Sequence, residues 1–199
     1  KSTMAQSDDA RDNAASGASP KRGQTGSGAK SGSRRTGGGS AKARRKAARL
    51  AAVQALYQVD LSGTNTETVL GEFIKHRLGH EVDGDTYVAA DPQLFSDILR
   101  GASARQAELD TMLTSCLDAS WPVDRLERLT RAILRAGAFE LLVNVETHPR
   151  IVISEYVDVA HAFFAGREPA MVNGVLDKLA RAIRADDLAA PDPSRAPAT

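Results

Sequence analysis

The stretch Ala43-Arg44-Arg45-Lys46-Ala47-Ala48-Arg49-Leu50-Ala51-Ala52-Val53-Gln54-Ala55-Leu56-Tyr57-Gln58 changes character along its length: its first turns are cationic and the later ones apolar. Leu50, Val53, Tyr57 and Leu61 recur at three- and four-residue spacing, the period of one helix face. A helix over about 43–62 is expected, ended by Gly63, a residue suited to the left-handed turn that closes helices. On that helix Arg45 and Arg49 share a face, with Lys46 beside them. Positive charge at a helix start opposes the helix dipole, at a cost of tenths of a kcal/mol per charge. One end is thus rooted in a core while the other offers a cationic patch to a polyanion; the plainer alternative is a solvated basic helix start.

The net charge of the whole chain, +1, hides this patch. Through Arg49 there are 12 Lys/Arg against 3 Asp/Glu, and beyond it 14 against 22. A basic leading part on an acidic body points to phosphates at one end and a basic protein partner for the rest. Residues 1–42 are mostly Gly, Ser, Ala, Lys and Arg, with no large apolar side chain except Met4. They cannot offset the entropy cost of ordering and are expected to be a disordered arm. The 199-residue chain then leaves residues 43–185 for one folded domain and 186–199 for a Pro/Ala/Asp/Ser tail. No apolar run approaches the ~18 residues needed to span a bilayer, and no secretory leader is visible. The single cysteine, Cys116, fits a reducing compartment. A cytoplasmic protein is expected.

Working onward from Gly63, the body reads as helices throughout. Residues 66–78 form a candidate second helix, with Gly71 as its weak point, and 79–92 an acidic, turn-rich loop. A long helix is expected over about 93–117, and Pro122 can open the next turn. Leu126, Leu129, Ile133, Ala136, Phe139 and Val143 make one stripe of a following helix. Thr147-His148-Pro149 is a cap-and-turn signal, after which Val152, Tyr156, Val159 and Phe163 begin another stripe. Val172, Val175, Leu176, Leu179 and Ile183 complete the last. Strand-like alternation is confined to the short stretch 149–153, so the fold class is all-α.

Catalytic and metal signals are weak. His76 and His80 have i, i+4 spacing but Gly79 intervenes and no third ligand is evident. Gly26-Ser27-Gly28-Ala29-Lys30-Ser31 lacks the Gly-Lys adjacency and the preceding strand of a phosphate loop. Cys116 shares no nucleophile motif with His148 or His161. Glu140 and Glu155 lie on mainly apolar helices, where an unpaired carboxylate is costly, so each is expected to pair with an arginine or a helix terminus. Asn173-Gly174 is expected to let two helices approach closely. Neither an enzyme nor a cofactor is indicated.

Four blocks carry a family resemblance. Arg44-Arg45-Lys46 and Arg49 followed by Val53-Gln54-Ala55-Leu56-Tyr57, then Leu126-Glu127-Arg128 through Phe139-Glu140-Leu141, then Ile153-Ser154-Glu155 with Val159-Ala160, and finally Val172-Asn173-Gly174-Val175-Leu176-Asp177-Lys178 resemble the NusB family, in order, over about 43–185. Ser154 stands where that family usually has Asn, Met171 where an aromatic is common, and both the arm and the 79–92 segment are long.

The resemblance implies about seven helices in two packed subdomains and a binding protein that pairs with NusE, a small-subunit ribosomal protein. The pair would recognise boxA-type single-stranded RNA and act with RNA polymerase in transcription antitermination, notably in ribosomal RNA operons. Arg44, Arg45, Lys46 and Arg49 would be the RNA contacts. Tyr57, Asp124 and Glu127 would face the partner, with Glu168 and Met171 near the RNA edge. The alternatives are a helical protein-binding adaptor, perhaps a homodimer, or a NusB-like module of an rRNA-modifying system.

Overall fold

Ser40 opens the first helix, its hydroxyl oxygen accepting from the Ala43 amide at 3.2 Å, which satisfies a donor that the first turn leaves free. This helix, α1 (Ala41–Ser62), stops at Gly63, whose φ of 66° is the left-handed conformation expected there. In this computed structural model residues 40–78, 88–118 and 122–189 are described. Asn65 caps α2 (Thr66–His76) and Asp91 caps α3 (Pro92–Ala104), each carboxyl or amide oxygen accepting a first-turn amide. A 310 turn (Val123–Arg125) follows Pro122 and leads to α5 (Arg128–Val143), after α4 (Gln106–Cys116). The chain continues through α6 (Pro149–Phe163), α7 (Glu168–Ile183) and α8 (Ala185–Ala189). The fold is all-α, with no strand among the described residues.

Several expectations change in detail. The long helix over 93–117 is two helices, because Arg105, at φ −108° and ψ 20°, leaves the helical conformation. The stretch 149–153 is the start of α6: His148 Nδ1 accepts from the Arg150 amide at 3.2 Å, and Pro149 takes the first-turn position where its missing N–H costs nothing. The tail is helical at its beginning, in α8, rather than irregular from Asp186. His80, the Gly26–Ser31 segment, most of the 79–92 loop and nearly all of the arm lie outside the described residues.

Helix α5 is the spine. Ile133, Leu134, Ala136, Ala138 and Leu141 are fully buried, and α1, α3, α4, α6 and α7 all pack against it. Helices α1–α3 contact one another on one side, and α4, α6 and α7 lie on the other. Close approach occurs at Gly101, against the Phe139 ring, and at Gly137, not at Gly174. A Cβ on Gly137 would stand 2.8 Å from Leu176 Cδ1, whereas Gly174 faces open space and is exposed. The expectation for Asn173-Gly174 is therefore corrected: the interhelical contact falls where Leu176 and Tyr156 cross α5.

Candidate nucleic-acid interface

The α1 sequence places its basic residues on two different surfaces. Arg44, Arg45 and Lys46 are exposed, as is Lys42 one turn earlier. Arg49 is 4% exposed and points inward. Its Nε donates to Glu140 Oε2 at 2.9 Å, its Nη2 to Glu140 Oε1 and its Nη1 to Glu155 Oε2 at 3.3 Å. The buried Tyr156 hydroxyl donates to Glu140 Oε2 at 3.0 Å, meeting the need of a buried phenol for a partner. Burial and the Glu140 charge push the Tyr156 hydroxyl well above its ordinary value of 10.0. Burial works against the charge on Arg49, but the Glu140 hydrogen bond and charge outweigh it, so its guanidinium is held protonated even more firmly than usual.

Glu140 and Glu155 are thus paired with an arginine, as expected, and the arginine is one of the four assigned to RNA. That assignment is corrected for Arg49. Its fork is occupied by two buried carboxylates, so it fastens α1 to α5 and α6 instead of meeting phosphate. The signal was present in Glu140 and Glu155, two carboxylates on apolar helices that each needed a cation.

Above this lock, α1 and the start of α6 border a groove of about 560 Å³. Lys42 and Arg45 come from α1, Thr147 and His148 from the connection before α6, and Arg150 and Ser154 from α6, with Arg49 and Glu155 at the base. Lys42, His148 and Arg150 were not among the expected site residues. Arg150 was signalled by its place directly after the Thr147-His148-Pro149 cap. Lys46 leans away to Asp158, Nζ to Oδ2 2.7 Å, with both side chains about half exposed at 52% and 48%. That hydrogen bond raises the Lys46 ammonium above its ordinary value of 10.5.

The five residues expected at a partner surface do not form one site. Glu127, Glu168 and Met171 share a mainly apolar cavity of about 670 Å³ with Cys116, Leu126 and Val175. Tyr57, half-buried, lies in a separate groove of about 470 Å³ with Leu61, Arg77, Leu129 and Phe163. Asp124 is exposed on the 310 turn and borders neither. Leu61 and Phe163 are among the large apolar side chains left exposed. Among the described residues no helix is long and apolar enough to cross a membrane, and no cluster of three metal-ligating side chains occurs.

Fold and groove define an all-helical binding protein with a cationic face. Residues 46–181 match the NusB family. The Transcription antitermination protein NusB of Agrobacterium fabrum is 48% identical over 143 residues, covering 72% of this chain and 87% of that protein. The protein of the same description from Bradyrhizobium sp. (strain BTAi1) is 49% identical over 145 residues, 73% of this chain and 86% of its own length. A crystal structure of antitermination factors NusB and NusE in complex with dsRNA superposes with a TM-score of 0.58 at 26% identity, covering 70% of this chain and 97% of that one. The chain belongs to the NusB family, and the curated relatives it matches are transcription antitermination proteins.

Proposed function

We propose that this protein binds boxA-type single-stranded RNA along the groove between α1 and α6, in company with a NusE-type small-subunit ribosomal protein. It thereby supports antitermination by RNA polymerase in ribosomal RNA operons, in the cytoplasm. The observation that carries this reading is the exposed Arg45 beside Lys42 and Arg150 at a groove whose base is locked by buried ion pairs, with Arg44 exposed on the neighbouring face of the same helix start. Arginine forks onto phosphate and stacks on unpaired bases. Lys46 joins them when phosphate displaces Asp158. Arg49 acts as a positioning residue. The groove of Tyr57, Leu61 and Phe163 offers the partner an apolar surface, and Glu127, Glu168 and Met171 bring acidic and apolar groups to a second cavity at the starts of α5 and α7, with Asp124 exposed on the turn before α5. The basic arm of residues 1–42 adds attraction with little sequence choice.

The test compares wild type with an Arg44→Ala/Arg45→Ala variant on boxA and scrambled RNA, at two salt concentrations, with and without the NusE partner. Wild type prefers boxA and binds it more tightly with the partner. The variant binds about tenfold or more weakly, and its salt dependence flattens by about 0.7 in log–log slope for each phosphate it no longer neutralises. Equal binding of both RNAs by both proteins, or none by either, leaves a protein-binding helical adaptor as the better account.

A further inference from the structure

Arg184 is a charged residue that nothing above uses. It sits between α7 and α8, 8% exposed. Its Nη1 donates to the carbonyl oxygens of Asn144 at 3.1 Å and Thr147 at 3.0 Å, and its Nη2 to that of Val145 at 2.9 Å. Its Nε donates to Asp187 Oδ2 at 2.6 Å on α8. The guanidinium has five donors in a rigid fork, and here it gathers three carbonyls at the end of α5 and in the following connection, that of Asn144 also accepting from the Thr147 amide at 3.3 Å.

That connection, residues 144–148, supplies Glu146, Thr147 and His148 to the groove lined on its other side by Lys42 and Arg45. Asn144 also reaches the lock beneath the groove, Nδ2 donating to Glu140 Oε1 at 3.2 Å. One side chain near the chain's end therefore ties α8, the exit of α5 and the entry to α6 into one unit.

We propose that Arg184 is a positioning residue for RNA: it holds the 144–148 connection in place as the far wall of the groove, so affinity depends on a side chain that does not touch RNA. This rests on the groove being the RNA site. Lysine cannot replace it, because a single ammonium cannot span three carbonyls and a carboxylate. If the competent arrangement of the connection falls to about a fifth of the population, apparent affinity falls about fivefold.

The experiment uses the full chain as wild type, Arg184→Lys, Arg184→Ala, Arg44→Ala/Arg45→Ala and Gly101→Ala. The last is destabilised elsewhere, since a Cβ on Gly101 would collide with the Phe139 ring. Circular dichroism reports folding; if the alanine variant does not fold, Arg184→Lys carries the test. Arg184→Lys is expected to speed amide exchange at residues 145–148 and to weaken boxA RNA binding about three- to tenfold. Its salt slope stays that of wild type, because every cation that meets phosphate is still in place, and partner affinity is unchanged. Gly101→Ala binds RNA as wild type does.

Faster exchange with wild-type RNA affinity would make Arg184 structural only and overturn the proposal. So would a flatter salt slope, which would make Arg184 itself a phosphate ligand. If Arg184→Lys behaves as wild type while Arg44→Ala/Arg45→Ala loses RNA, this inference fails alone. If that double variant binds RNA like wild type, the groove reading fails and takes the inference with it.

Discussion

Helix α1 is pinned to α5 by ions at two places, near its middle at Arg49 and near its end at Asp60, in opposite proportions. At Arg49 one guanidinium lies between two carboxylates, with side-chain exposures of 5% for Arg49, 2% for Glu140 and 10% for Glu155. At Asp60 one carboxylate faces Arg131 at 2.8 Å and Arg135 at 3.5 Å, while Arg128 donates to the Asp60 carbonyl oxygen at 3.1 Å. Arg135 is also held by Asp110 at 2.7 Å, and the Asp60 and Arg131 side chains keep 20% and 14% of their exposure. The dry cluster has a minority cation, and the other partners of Glu140, the Tyr156 hydroxyl and the Asn144 side-chain amide, are neutral. The wetter cluster has a minority anion, but its cations keep water or a second carboxylate. Removing the minority ion should therefore be costly at the first site and moderate at the second.

The largest expected effect tests the dry side. Arg49→Ala strands Glu140 and Glu155 and should cost about 3–5 kcal/mol, a large share of the roughly 5–15 kcal/mol that holds a domain folded. Urea unfolding measures it. A loss under about 1 kcal/mol would mean water replaces the guanidinium, and the contrast would collapse.

Next comes Asp60→Asn, expected to cost about 1–3 kcal/mol and to alter acid sensitivity. Burial would raise the Asp60 pKa, but the hydrogen bond from Arg131 and the charges of Arg131, Arg135 and Arg128 prevail and hold it below its ordinary 3.8. A depressed folded value means the carboxylate contributes fully above the unfolded value of about 3.9 and progressively less as pH falls from there through the folded value. Unfolding free energy measured from pH 5 downward should fall less steeply in Asp60→Asn than in wild type. Parallel acid limbs would show that Asp60 gains nothing from its arginines.

The smallest effect belongs to the surface. Arg44→Ala/Arg45→Ala should leave stability within about 0.5 kcal/mol of wild type, on the stabilising side because charges opposing the helix dipole are removed. A thermal melt checks it, and a marked loss would place those arginines in a structural role.

The comparison also marks what could be read before folding. The helical stripes, the stop at Gly63, the cap at His148 and the need of Glu140 and Glu155 for a cation follow from local spacing and chemistry. The break at Arg105 does not, since no glycine or proline stands there. Gly174, inside the strongest family block, looked like a close-approach glycine, but the crossing lies at Gly137. Tyr57 and Glu127 read as neighbours in function, yet the fold puts them in separate grooves.

By itself the sequence determined an all-helical NusB-family body, a cationic start to its first helix, and a pair of carboxylates that had to be neutralised. Tertiary structure decided which arginine does the neutralising. Arg45 and Arg49 are alike in type and share a helix face, but Glu140 and Glu155 lie 91 and 106 residues from Arg49. Burial of a charge is settled by the partners that packing brings to it, and helix periodicity carries no record of partners that distant. The groove has the same origin. Its cationic side begins in one helix, while its opposite wall comes from a connection whose Asn144, Val145 and Thr147 carbonyls all accept from Arg184, some forty residues further along the chain.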